Sequence, residues 1–291
     1  QRYHKTPKPL AKILDIVQGV ATSLVQSLAT PFDIIHARTF IGGIFGLLLA
    51  PILRAKLIYH NEGFYPDEQV DGGVWKLNSF PHRVAKALEY RMYSSADGII
   101  AMSYRGKQII NQLPTVRRKR TPTIVVPSCV DLNSFCNSNQ DRIAWQDELR
   151  LIYIGSIGAR YLFDRIAQFI AVLSTVHPNV RFRVLTRTDA LNVKTMLHAA
   201  GLRESMCSIG CVPHCQIPHE LSTHHAGLFF LTQGISEHGC SPTKIGEYWA
   251  CGIPVITTAN VSDIDEIVTA ISVGVVIREH SDDEYLSAFH S

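Results

Sequence analysis

Ser241, Thr243, Lys244 and Glu247 follow one another closely enough to act together on a phosphorylated ligand. Ser241 is a good N-cap, and Pro242 suits the first position of a helix, where a missing N–H costs nothing. At the other end Gly252 can take the left-handed conformation that closes a helix and Pro254 prevents continuation. A helix over 242–251 is therefore predicted, followed by a buried strand through Val255, Ile256, Thr257 and Thr258. The first turn of such a helix presents unpaired backbone N–H groups that attract anions, and Thr243 and Lys244 add a hydroxyl and a positive charge. Glu247 lies four residues after Thr243 and three after Lys244, on the same helical face. A diphosphate at the helix start, with a carboxylate one turn deeper accepting from ribose hydroxyls, would grip a nucleotide. The alternative is plainer: Ser241 caps, and Lys244 and Glu247 pair on the surface.

These residues need a scaffold, and the rest of the chain supplies one. Short apolar runs predict strands over 33–37, 56–60, 98–103 and 123–127, and again over 150–155, 181–186, 206–210, 226–231, 254–258 and 273–277. Several are continuously apolar, such as Leu228-Phe229-Phe230-Leu231, as parallel strands covered on both faces must be. Amphipathic segments such as 161–176, 190–200 and 242–251 fall between them. Strand and helix in alternation mean an α/β doubly wound architecture. The chain has 291 residues, enough for two cores. The polar, aperiodic run from Asn133 to Asp141 reads as an interdomain break, which divides the chain into domains 1–135 and 150–291 with a linker over 136–149. Hydrophobic residues at 46% and charged residues at 18% argue against long disorder, and a net charge of +3 gives no reason to invoke nucleic acid. The apolar stretch 40–53 is shorter than the ~20 residues of a membrane span and reads as a buried helix. Seven cysteines without a C-x-x-C pair point to a reducing cytosol rather than a disulfide framework. A chain opening on Gln1 reads as processed or truncated.

The block Ser241-Pro242-Thr243-Lys244-x-x-Glu247-Tyr248-x-Ala250-x-Gly252-x-Pro254-Val255-Ile256 resembles the donor-site signature of the group 1 (family 4) retaining glycosyltransferases of GT-B fold. Tyr153-Ile154-Gly155-Ser156 is similar to the opening strand and glycine turn of that family's C-terminal domain. Val125-Val126-Pro127-Ser128-Cys129-Val130-Asp131 is similar to its interdomain junction, with Cys129 where glycine is usual. More loosely, Asp33 to Arg38, Gly63 to Trp75 and Ala96 to Ile100 resemble its N-terminal half. The resemblance implies two Rossmann-like domains with parallel sheets facing across a cleft, the donor on 150–291 and the acceptor on 1–135, the latter lacking its first strands. It also implies sugar transfer from a UDP- or GDP-type donor, with retention, to a carbohydrate or lipid-linked acceptor, as in surface-polysaccharide synthesis. The resemblance further implies that no cofactor or metal is required, the departing diphosphate being stabilised by a helix terminus and cationic side chains.

Carried over residue by residue, Glu247 matches the second of the family's paired glutamates. The first falls at Gly239, so Glu237, two positions away, is the candidate sugar contact. The family's basic pair is reduced to Arg160, leaving Arg187 or Lys244 to share the phosphates with Gly155, Ser156, Ser241 and Thr243. Glu237 and His60 are the catalytic candidates, His60 lying on the acceptor side with Arg38 and Glu62. The departures at Gly239 and the basic pair keep two alternatives open: a silent nucleotide-sugar-binding or scaffold domain, and a sugar-nucleotide epimerase or hydrolase on the same fold. Cys211, His214, Cys215, His219, His224 and His225 invite a zinc reading but lack a zinc-finger spacing. Asp263-Ile264-Asp265 mimics a metal motif, and Asp263 reads more simply as an N-cap with Glu266 completing a capping box. The run Arg117-Arg118-Lys119-Arg120 reads as a solvated loop, the alternative being peripheral contact with the inner face of an anionic membrane.

Overall fold

The computed structural model describes residues 8–136, 144 and 146–290. The chain divides into two compact units, the first running to Val70 and over Val74–Val126, the second comprising Asp71–Gly73 and the residues from Pro127 onward. Most of the predicted linker, 137–143 and 145, lies outside the described residues.

The first unit contains α1 (Lys8–Ala29), β1 (Ile34–Arg38), α2 (Thr39–Leu53), β2 (Lys56–Asn61), α3 (Tyr65–Asp71), α4 (Phe80–Ser95), β3 (Gly98–Ala101), α5 (Tyr104–Gln112), α6 (Pro114–Lys119) and β4 (Thr123–Val125). Its four strands pair in parallel in the order β1-β2-β3-β4. Helix α2 answers the predicted buried helix, but only one face is covered, through Gly43, Gly46, Leu49 and Ala50. Ile41, Leu48 and Ile52 stay exposed.

The second unit contains β5 (Leu149–Ile154), α7 (Phe163–Val176), β6 (Val180–Leu185), α8 (Ala190–Ala199), β7 (Cys207–Gly210), α9 (Ile217–Ser222), β8 (Ala226–Phe229), α10 (Thr243–Ala250), β9 (Val255–Thr258), α11 (Ile264–Ile271), β10 (Gly274–Ile277) and α12 (Asp282–His290). Its six strands run parallel in the order β10-β9-β8-β5-β6-β7. All four residues of β8 and of β9 are buried; β8 carries no polar side chain, and in β9 the hydroxyls of Thr257 and Thr258 donate to the Phe229 and Leu231 carbonyls at 2.8 and 3.0 Å. One core lies on each face. Phe163, Ile166, Phe169 and Ile170 of α7 pack on one side, and Ile245, Tyr248 and Val268 of α10 and α11 on the other.

All ten predicted strands are present, their ends shifted by a residue or a few. The α/β reading with parallel sheets holds. Because the chain leaves β5 first for β6 on one side and later for β8 on the other, the strand order reverses at β5. A crevice forms outside the carboxyl ends of strands at such a point.

Candidate functional site

Helix α10 ends as its sequence dictates. Gly252 sits at φ 70°, its N–H donates to the Trp249 carbonyl at 2.9 Å, and the Ile253 N–H reaches the Tyr248 carbonyl at 3.0 Å. This is the paired hydrogen bonding of a Schellman closure. The helix is seated by a close approach: a Cβ on Gly227 of β8 would lie 2.4 Å from the Tyr248 ring. The buried Tyr248 hydroxyl accepts from the Ile154 N–H at 3.3 Å, tying α10 to the end of β5. Burial pushes the Tyr248 phenol well above its ordinary range.

The start of α10 departs from the prediction. Pro242, not Ser241, is the N-cap residue, and it supplies no side-chain cap. The Ser241 hydroxyl accepts instead from the Ser128 N–H at 3.0 Å. A partner more than a hundred residues away in sequence has taken the expected cap, and in the first turn the Ile245 N–H donates to the Pro242 carbonyl at 3.2 Å.

A cavity of about 420 Å³ opens at the reversal point beside this helix start. Gly155 and Ser156 after β5, Thr186 and Arg187 after β6, His214 after β7, and Thr243, Lys244 and Glu247 of α10 contribute to its lining. Six of the candidate donor-side residues therefore converge: Gly155, Ser156, Arg187, Thr243, Lys244 and Glu247. The Glu247 side chain is only 12% exposed and its Oε1 lies 3.3 Å from Nε2 of the open His214. His214 in turn meets the Phe135 ring edge-on at 5.3 Å. The stretch from Val212, Pro213 and His214 to Leu221 resembles the family's loop and helix on the donor side, but that resemblance gave His214 no role as a partner of Glu247. A larger cavity, about 780 Å³, runs along α8 and the outer strand β7 and contains none of the candidate residues.

Three donor-side candidates lie outside that lining: Ser241, Arg160 and Glu237. The Glu237 carboxylate has 0% exposure, and the Arg160 guanidinium reaches it at 3.2 Å. The Thr232 hydroxyl donates to it at 2.9 Å and the Ser236 hydroxyl at 3.3 Å. Burial pushes the Glu237 carboxyl above the usual carboxylate range, with the Arg160 charge and the Thr232 hydroxyl holding it back. The expected sugar contact at Glu237 and the expected phosphate contact at Arg160 are thus engaged with each other. A buried carboxylate needs a countercharge, and Arg160 is the nearest one.

In the first unit, His60, Arg38 and Glu62 collect at the carboxyl ends of β1 and β2, where Arg38 and His60 stand in register. Arg38 and Glu62 form an ion pair. His36 stacks on His60 with ring centroids 5.3 Å apart, its Nε2 3.2 Å from His60 Nδ1, while His60 Nε2 lies 3.3 Å from Met102 Sδ. Burial, then the neighbouring His36 and Arg38, lowers the His60 pKa.

The other readings resolve locally. Asp263 starts α11 without a side-chain cap, so the predicted capping box is absent, and Asp265 accepts from the Asn260 N–H instead. His224 and His225 bond backbone groups of Glu220 and Arg150. Among the described residues no group of three or more His, Cys, Asp or Glu side chains is placed to hold a metal ion, and no helix is long and apolar enough to cross a membrane. Arg117, Arg118 and Arg120 are exposed at the end of α6, and Lys119 donates to the Ala96 carbonyl at 2.5 Å.

Two sequence families meet in this chain. The profile described as Glycosyltransferase Family 4 matches residues 2–134, and that described as Glycosyl transferases group 1 matches 138–290. The chain belongs to the group 1 glycosyltransferases. No curated protein matches it. Its fold resembles HepE of Anabaena in complex with UDP and glucose, at TM-score 0.69 and 18% identity over 100% of this chain and 74% of that one. It also resembles the sucrose-phosphate synthase of Thermosynechococcus elongatus, at TM-score 0.71 and 14% identity over 94% and 68%. WaaG, a glycosyltransferase involved in lipopolysaccharide biosynthesis, aligns at TM-score 0.59 and 16% identity over 86% and 72%. At these identities the likeness is one of fold, and the fold is that of the GT-B glycosyltransferases. The group 1 profile spans every residue lining the 420 Å³ cavity, so cavity and family coincide in the second unit of this glycosyltransferase.

Proposed function

We propose that this glycosyltransferase takes its sugar from a nucleoside diphosphate donor of UDP or GDP type, bound in the 420 Å³ cavity of the second unit. One observation carries the reading: Lys244, Arg187 and Glu247 line a single cavity at the strand-order reversal, beside a helix start whose N-cap residue, Pro242, supplies no side-chain cap. In this reading Lys244, Arg187, Thr243 and the first N–H groups of α10 hold the diphosphate, with the backbone at Gly155 and Ser156 closing over it. Glu247, steadied at Oε1 by His214, accepts from the ribose hydroxyls. As the anomeric bond breaks, these cations and amides stabilise the departing charge. That supports metal-free transfer, and the resemblance to the retaining group 1 enzymes supports retention. The complexes of HepE with UDP and glucose support the donor class.

On the acceptor side the reading assigns His60, Arg38 and Glu62 to hydroxyls of a carbohydrate or lipid-linked acceptor. The exposed Arg117, Arg118 and Arg120 support peripheral contact with an anionic membrane surface. The likeness to WaaG supports a surface-polysaccharide role. A second reading, binding without transfer, is favoured by Gly239 in place of a carboxylate and by the mutual engagement of Arg160 and Glu237.

The test is calorimetric titration of the protein with UDP, GDP and ADP. UDP or GDP is expected to bind, and Glu247→Ala to weaken that binding by roughly 1–3 kcal/mol, since a hydroxyl-holding carboxylate is lost. Unchanged affinity in that variant removes Glu247 from the site. Binding of UDP-glucose or GDP-mannose with no sugar released or transferred would favour the second reading.

A further inference from the structure

The cavity's lysine is held by an aromatic ring. Lys244 Nζ lies 5.0 Å from the centroid of the Tyr161 ring, and among the described residues no carboxylate pairs with it. A Cβ at Gly155 would lie 3.0 Å from the same nitrogen. The ammonium is therefore close to both the Gly155 backbone and the Tyr161 ring.

Tyr161 is itself held from several directions. It bridges antiparallel to Gly158 and to Leu231, its N–H donates to the Gly158 carbonyl at 3.1 Å, and its ring meets Phe229 edge-on at 6.1 Å. The flanking residues are clamped to the segment that follows β8: the Thr232 N–H donates to the Arg160 carbonyl at 2.9 Å, and the Leu162 N–H to the Phe230 carbonyl at 3.0 Å. The Arg160 side chain adds the buried link to Glu237 at 3.2 Å.

A lysine carries four flexible carbons, and ordering it on binding costs entropy. A carboxylate partner would order it but would also cancel the charge a phosphate needs. An aromatic face attracts a cation through its quadrupole and carries no net charge, so it orients the ammonium without competing for it. Resting on the nucleotide reading above, we propose that Tyr161 is a positioning residue. It holds Lys244 in the cavity for the diphosphate of the donor, and the Arg160–Glu237 pair fixes the turn that carries it.

The experiment compares the whole chain with its Tyr161→Phe, Tyr161→Leu, Lys244→Met and Tyr161→Leu/Lys244→Met variants. UDP is titrated by calorimetry, with GDP in parallel, and uridine is followed by ligand-observed NMR. Tyr161→Leu is expected to weaken UDP about five- to tenfold, the range of a partly desolvated cation–π contact. Uridine binding stays unchanged, because uridine has no phosphate. Tyr161→Phe keeps wild-type affinity, since the ring face survives. In the Lys244→Met background, Tyr161→Leu adds little.

Equal weakening of UDP and uridine, or independent losses that multiply in the double variant, would overturn the proposal. Tyr161→Met repeats the comparison if thermal unfolding shows the leucine variant misfolded. If Lys244→Met weakens UDP and neither Tyr161→Leu nor Tyr161→Met does, only the role of Tyr161 fails. If the wild type binds neither UDP nor GDP, the nucleotide reading fails with it.

Discussion

Removing the Arg160 guanidinium should destabilise the second unit in a way that acid relieves. Glu237 has 0% side-chain exposure and Arg160 24%, with 3.2 Å between them. Breaking a buried pair from one side costs about 3–5 kcal/mol, because the remaining charge is stranded. Water reaches part of Arg160, so solvent screening brings the cost of Arg160→Ala below that range, to about 2–3 kcal/mol. For a unit of this size that is a fall in unfolding midpoint of roughly 5–10 °C near pH 8. The dependence on pH follows from the carboxyl. Burial already pushes Glu237 up, and losing Arg160 pushes it further, while in the unfolded chain it stays near ~4.3. A raised folded-state pKa contributes stability that is present below the unfolded value and lost as pH rises through the folded one. The deficit of Arg160→Ala against wild type should therefore be largest at pH 8 and shrink towards pH 5. Adding Glu237→Gln should recover part of the loss at pH 8 and flatten the profile. Thermal unfolding of the three proteins from pH 5 to 8 is the assay. A deficit of the same size at both ends, untouched by Glu237→Gln, would refute the stranded-charge reasoning.

Two further expectations concern the scaffold. Glu89 in α4 is 2% exposed, with Oε2 on Lys86 at 2.5 Å and Oε1 unpartnered, and burial, opposed by the Lys86 charge, pushes its carboxyl up to about 7. Its contribution to stability is full below ~4.3 and lost as pH rises through about 7, so Glu89→Gln should gain in midpoint relative to wild type from pH 5 to 8; a constant difference across that range would contradict this. Gly227→Ala places a Cβ 2.4 Å from the buried Tyr248 ring and should cost about 1–3 kcal/mol by overpacking, read as a lower unfolding midpoint, and an unchanged midpoint would show that α10 can yield.

The parts of this protein legible in the sequence are those governed by neighbours along the chain. Ten strands could be placed from their short apolar runs, most clearly where a strand is buried on both faces, as Ala226 to Phe229 are. The close of α10 was readable because a left-handed turn favours glycine, and Gly252 stands there. Thr243, Lys244 and Glu247 could be set on one face by helical spacing alone, and the cavity does gather them. What the sequence could not contain are choices of partner made across the fold. The Ser241 hydroxyl had a local role open to it as a cap, yet Ser128 claims it. Glu237 and Arg160, 77 residues apart, each had a ligand-facing role by resemblance, but one shared burial made each the other's countercharge. Tyr161 carries no motif at all and gains its place beside Lys244 because the turn after β5 is pinned to the segment after β8. Polar side chains settle on whichever partner burial brings within reach, and only the tertiary structure decides which partner that is.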